Sequence, residues 1–160
     1  MNEIGRLIEL LRQAYEGEPG REDGWHGPSL RKLLVDVTAE QAAGRPVADG
    51  HSIWELVLHI AVWDEICARR LRGERVPATT GSPEDWPAVG ETTEAAWQLV
   101  LQRLASAQRA LIKTVHGLRE SVLDEPAAGC QWTNYLMIHG TLHHDLYHAG
   151  QIGLLKRALG

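Results

Sequence analysis

The sequence predicts an all-α fold, a four-helix bundle with additional short helices in long connections. Three observations predict it. Four long stretches repeat their apolar residues at helical spacing. Capping signals, glycines and prolines separate those stretches. No segment reads as strands joined by hairpin turns.

The first helix is expected over Asn2–Glu16, where Ile4, Leu7, Ile8, Leu11 and Tyr15 share one face before Gly17-Glu-Pro-Gly20 stops it. The segment from Glu22 to Val37 contains Gly27-Pro28, which suits a helix start with proline in the first turn. A short helix is therefore expected over Pro28–Val37, and Thr38-Ala-Glu-Gln41 can begin another turn that Gly44-Arg-Pro46 ends. Ser52-Ile-Trp-Glu55 matches a capping box, with the serine oxygen accepting an orphan N–H and the glutamate reaching back. The second long helix runs from there to about Arg72, with Gly73 as its stop. Residues 73–90 contain three prolines and three glycines and read as a loop, with one helical turn at Ser82-Pro-Glu-Asp. The third long helix covers Glu91–His116, with Trp97, Val100, Leu101, Leu104, Leu111 and Val115 as its apolar set. Residues 117–131 connect it to a final helix over Trp132–Leu159, which contains no proline. Two rather long connections argue against the simplest up-down design and allow loops to cover one end.

Composition sets the bounds. The chain has 160 residues, 44% hydrophobic and 23% charged, which suits a single domain over 1–160. Its net charge is −5, so no basic field is available to hold a nucleic-acid backbone. Cys67 and Cys130 lie far apart with no C-x-x-C, which points to a reducing compartment. Residues 1–20 lack an apolar signal core, and no apolar run approaches a membrane span. A cytoplasmic protein without membrane partners is the expectation.

Eight histidines are more than an ordinary core needs. On a helical wheel at about 100° per residue, His144 and His148 are about 40° apart and share an arc with Met137, Ile152 and Leu155. Imidazoles facing a core need partners for their ring nitrogens. His59 is the only histidine of the second long helix and lies in its apolar stripe beside Leu56, Trp63 and Ile66. Bundle packing can bring it opposite the pair. Three imidazoles with one or two open positions suit Zn²⁺, Ni²⁺, Co²⁺ or Fe²⁺. An H-x-x-x-H pair alone is a weak signal, because every helix places residues at that spacing. The H-E-x-x-H pattern is absent, so no glutamate base comes with it.

The remaining candidates have ordinary readings beside their functional ones. His139 and His143 form a second pair at the same spacing on another face, suited to solvent or a subunit contact, and His143 competes with His144 as the ligand. His26 can overhang the site but reads more simply as a surface residue, and His51 and His116 flank helix ends. Trp63 can wall a cavity or simply pack. Tyr147 can orient a ligand or donate to substrate, and Gln151 can hydrogen-bond a ligand imidazole or metal-bound water. Arg70, three turns from His59 on the same side, can meet an anionic substrate or form a salt bridge. Glu55 is accounted for by capping, and Cys67 by packing.

The stretch Ser52-IWELVLHIAV-Trp63, followed by His143-HDLYHAGQIGL-Leu155, resembles the DinB/YfiT-like superfamily. The W-H-G-P-S segment and the R-L-R-G-E helix end extend the resemblance over nearly the whole chain. It implies an up-down-down-up four-helix bundle with a divalent metal on three histidines, here His59, His144 and His148. Zinc or nickel is the metal it favours, with iron, cobalt or manganese as alternatives. Relatives of this kind transfer low-molecular-weight thiols such as bacillithiol or mycothiol, isomerise maleylpyruvate with mycothiol, or are described as hydrolases.

The leading expectation is therefore a metal-dependent transferase acting on a small-molecule substrate with a low-molecular-weight thiol as cosubstrate. A hydrolase using metal-bound hydroxide is the enzymatic alternative. A metal-containing stress or binding protein is the non-enzymatic one. The resemblance also leaves a homodimer open.

Overall fold

The computed structural model describes residues 1–21, 23–77 and 80–160. Glu22 and residues Ala78 and Thr79 of the expected loop lie outside the described residues. Four long helices form the bundle: α1 (Glu3–Tyr15), α4 (Ile53–Leu71), α5 (Glu94–His116) and α6 (Asn134–Leu159). Two five-residue helices, α2 (Leu30–Leu34) and α3 (Ala39–Ala43), occupy the first long connection, and a 3₁₀ turn at Glu120–Val122 lies in the last. Among the described residues no helix is long and apolar enough to cross a membrane.

Side chains and caps decide the boundaries. Thr93 caps α5 by accepting from the Ala96 N–H, so that helix begins at Glu94 and not at Glu91. Thr133 does the same for α6 at the Leu136 N–H, leaving Trp132 outside. The Ser52–Glu55 capping box is formed in both directions, and each half removes an orphan donor at the start of α4. Thr38 and Gln41 make a second capping box at α3.

Two expectations are corrected around Gly27-Pro28. The residues do not begin a helix; they form strand β2 (Gly27–Pro28), paired antiparallel with β1 (Asp23–Gly24). Gly27 adopts φ +121°, which an L side chain rarely takes and no helix allows. Ser29 then supplies the N-cap at the Lys32 N–H, and α2 starts at Leu30. It ends at Leu34 and not at Val37, because Val35 is extended and Asp36 is left-handed at φ 63°. The turn expected at Ser82-Pro-Glu-Asp is present as a bond from the Asp85 N–H to the Ser82 carbonyl.

Contacts along the seams give the helix directions. Trp54 packs on Trp97 and Arg72 reaches Thr114, so α4 and α5 run parallel. His59 meets His144 and His148 while Cys67 meets Thr141, so α6 runs antiparallel to α4. The Glu3 N–H donates to Glu120, and Tyr15 lies beside Leu104, so α1 is antiparallel to α5. The order is up, down, down, up.

The core has two apolar clusters. One surrounds Trp54 and Trp97, with ring centroids 5.1 Å apart and the Trp97 indole N–H donating to the Val37 carbonyl at 2.7 Å. The other joins α1 to Leu111, Val115, Ile138 and Leu142. Asp64, Gln108 and Asp145 form a buried polar layer between them. The Gln108 amide donates to Asp64 at 2.7 Å and to Asp145 at 2.8 Å. Burial, then the facing Asp145 charge, pushes the Asp64 carboxyl well above its usual range. A proton retained on Asp64 gives the layer a donor that two carboxylates lack.

Candidate metal centre

Helices α4 and α6 bring three imidazoles to one point. His59 and His148 are buried and His144 is half-buried. The Nε2 atom of His144 lies 2.9 Å from Nε2 of His59 and 3.1 Å from Nε2 of His148. Ligands bonded at about 2.0–2.1 Å to one cation stand at such separations. His144, and not its neighbour His143, is thus the residue that joins the cluster; His143 is exposed.

The far side of each ring determines what the near side can do. The His59 Nδ1 lies 2.8 Å from the Asp85 backbone carbonyl, which can only accept. The proton therefore sits on Nδ1, and the Nε2 lone pair faces the cluster. The His148 Nδ1 lies 2.6 Å from the Gln151 amide oxygen, with the same consequence. Outer partners of this kind fix ring orientation and tautomer. The His144 Nδ1 has no hydrogen-bond partner, and the nearest Asp145 carboxylate oxygen, also without one, is 3.7 Å away.

Burial lowers the His148 pKa to about 4, against the opposing effect of the hydrogen bond its Nδ1 donates to Gln151. Burial lowers that of His59 as well, against the Asp85 carbonyl. Both rings are therefore neutral at physiological pH, the form that binds metal. Two inward lone pairs with at most one N–H to share form a buried acceptor set that a cation would satisfy more fully. The donor chemistry fits a divalent ion that imidazole suits. No fourth histidine, cysteine or carboxylate joins the group among the described residues.

The loop between α4 and α5 completes the wall, and its role was not legible from the sequence. Trp86 stacks on His59 with centroids 3.8 Å apart and planes 5° from parallel. His51 stacks on the other face of Trp86 at 3.5 Å, so it is part of this sandwich and not simply a residue at a helix end. Asp85 holds the loop in place. Its Oδ1 accepts from the Trp63 indole N–H at 2.7 Å, and its Oδ2 accepts from the Gly81 N–H at 2.6 Å.

The histidines open onto a cavity of about 1090 Å³ between α4 and α6. Trp63, Arg70, Tyr147 and Gln151 all line it. Trp63 is a wall fixed by Asp85. Tyr147 is exposed, with its ring edge-on to His148 at 5.0 Å. Gln151 is the partner of His148. Arg70 donates from Nε and Nη2 to the Val76 carbonyl and forms no salt bridge among the described residues. Glu55 is occupied by its capping bond and by Arg45. Cys67 also touches the cavity, but burial pushes its thiol up to about 12, so it remains protonated. His26 is exposed on the hairpin. His139 and His143 face away from the cluster, with His139 against Tyr135.

No curated protein and no solved structure matches the chain. The family model of the DinB superfamily matches residues 25–152, a span that includes the sandwich, the cavity and all three converging histidines. The chain belongs to the DinB superfamily.

Proposed function

We propose that the protein is a metal-dependent enzyme that activates a low-molecular-weight thiol and transfers it to an electrophilic small molecule. The observation that carries this reading is the meeting of three imidazoles at the wall of a large cavity, with no fourth protein ligand beside them among the described residues. His59, His144 and His148 would hold the ion, with zinc or nickel as the favoured metals. A divalent cation there supplies Lewis acidity, which lowers the pKa of a thiol presented to its open positions.

The chain's own residues do the rest. Asp85 and Gln151 fix the tautomers of His59 and His148. Trp63 and Trp86 shield the histidines, and a site sheltered from water strengthens the electrostatics inside it. The thiol loses its proton to solvent through the open mouth. Its sulfur then forms a bond to the electrophilic carbon as a halide leaves with the carbon–halogen electron pair, or as a C=C π bond breaks and the neighbouring carbon takes up a proton from solvent.

The thiol is favoured over water as nucleophile by the fate of the carboxylates. Asp85 is the only one lining the cavity among the described residues, and both its oxygens are engaged. A hydrolase gains from a free base or acid that moves protons between the attacking water and the leaving group, whereas a thiol is more acidic than water and the same Lewis acidity deprotonates it more readily. A purely structural metal has no use for a cavity of this volume.

The test is turnover by zinc- and nickel-loaded protein with a panel of cellular thiols and haloaromatic or unsaturated electrophiles. Thiol consumption that needs both metal and electrophile is expected. Turnover of ester or amide substrates at equal rate without thiol would replace this reading with hydrolysis.

A further inference from the structure

The cavity has a second polar end. Arg70 lies eleven residues after His59 on α4, about 16 Å along the helix at a rise of about 1.5 Å per residue. Eleven residues at about 100° each return to within about 20° of the same face. Trp63, Ile66 and Cys67 fill the stripe between them, and Met137 and Thr141 face it from α6. The cavity thus has donor nitrogens at one end, a mostly apolar middle and a guanidinium at the other.

That guanidinium differs from its paired neighbours at the end of α4, and from Arg75, which forms no salt bridge among the described residues but does not line the cavity. Arg69 and Arg72 both pair with Glu74, and Arg103 pairs with Glu65. Arg70 faces no carboxylate among the described residues, in a chain that carries five more acidic than basic side chains. The Val76 carbonyl accepts from Nε and Nη2, which holds the group in place and leaves Nη1 without a protein partner among the described residues. A half-buried guanidinium held by a neutral acceptor, on the wall of a mostly apolar cavity, is preorganised for a charge-assisted bond to an anion.

We propose that Arg70 is an anion subsite, and that the ligand of this cavity is an extended molecule with a thiol at one end and a carboxylate or phosphate at the other. The proposal rests on the thiol reading for its first end only. The second end depends on Arg70 alone and can be tested separately.

The experiment uses full-length protein loaded with Co²⁺, whose thiolate charge-transfer absorption reports thiol binding without turnover. The probes are 11-mercaptoundecanoate, 11-mercaptoundecanol and the short 3-mercaptopropionate. The long acid is expected to bind about tenfold or more tightly than the long alcohol, as one charge-assisted bond implies. Arg70→Gln is expected to remove that preference and leave the alcohol's affinity unchanged. Arg70→Lys keeps the cation and is expected to keep the preference, which separates charge from any disturbance of the Val76 loop. The short acid cannot reach both ends and is expected to be indifferent to either substitution.

Equal affinity of the long acid and alcohol in the native protein would overturn the subsite and leave the thiol reading standing. A second arm titrates decanoate and decanol into metal-free protein by calorimetry. Arg70-dependent decanoate binding, without a thiolate band for any probe, would support the subsite and reject the thiol reading. Absence of both signals would overturn both.

Discussion

His144 and His148 occupy the same helix as His139 and His143, at the same four-residue spacing, yet their surroundings differ at nearly every nitrogen. The first pair meets a third imidazole from α4, and His148 is backed by Gln151. His139 lies against Tyr135 with its Nε2 unpartnered, and His143 is exposed. No third ligand approaches them among the described residues. The spacing is common to both pairs; what differs is the opposing helix and the acceptors behind the rings. A metal centre is a property of the seam between two helices, and the histidine repeat supplies only half of it.

The sharpest way to break this contrast is to remove one member of each pair. His148→Ala is expected to weaken Zn²⁺ or Ni²⁺ binding by more than about 100-fold, beyond the loss usual for an outer-shell partner. His143→Ala is expected to change it by less than about twofold. Competition titration against a chelator measures both. A smaller effect is expected behind the ring. Gln151→Ala frees the His148 tautomer and should cost about 10- to 100-fold in affinity by the same titration.

Burial of His148 should also show in how acid unfolds the metal-free protein. The His148 pKa falls from the ordinary 6.5 to about 4 in the folded state, so the unfolded chain takes up the proton first. Stability from this group is complete above about pH 6.5 and is lost as pH falls towards about 4. His148→Gln should flatten the melting temperature across that window. The smallest effect belongs to the polar layer behind His144. The Asp64 carboxyl is held well above the ordinary 3.8, so its contribution declines as pH rises from about that value. Asp64→Asn keeps a donor towards Asp145 without the ionisation. It should raise stability at pH 8 by about 1 kcal/mol, measured by denaturant unfolding, with little change near pH 3.

Much of this arrangement is legible in the sequence, and the reason is periodicity. The stripe through Leu56, His59, Trp63 and Ile66 places one candidate ligand on an apolar face, and the wheel of α6 places His144 and His148 on another. Ser52 and Glu55 announce the start of α4 by capping chemistry alone. The wheel leaves His143 in competition with His144; only the opposing His59 ring decides between them. Asp85 and Trp86 escape a sequence reading because they act from an irregular segment, and contacts across 26 residues of chain leave no repeating pattern. His51 escapes for the same reason, since its partner is Trp86. Gln108 did leave a signal. It stands between Leu104 and Leu111, where the helical period calls for an apolar side chain, and it holds the two buried carboxyls together. The extended Gly27-Pro28 is the reverse case, where proline suits both a helix start and a strand and only Gly27's positive φ decides.

The parallel course of α4 and α5 has a consequence for how this centre is tuned. The chain leaves α4 at Leu71 and must return the length of that helix, about 28 Å at about 1.5 Å per residue, before α5 can begin. A tight turn cannot make that journey, so the topology itself delivers a long strap past the histidines. Insertions or deletions in the strap therefore alter the reach of Asp85 and Trp86, and with them the aim of the His59 lone pair, while all three histidines keep their places on α4 and α6.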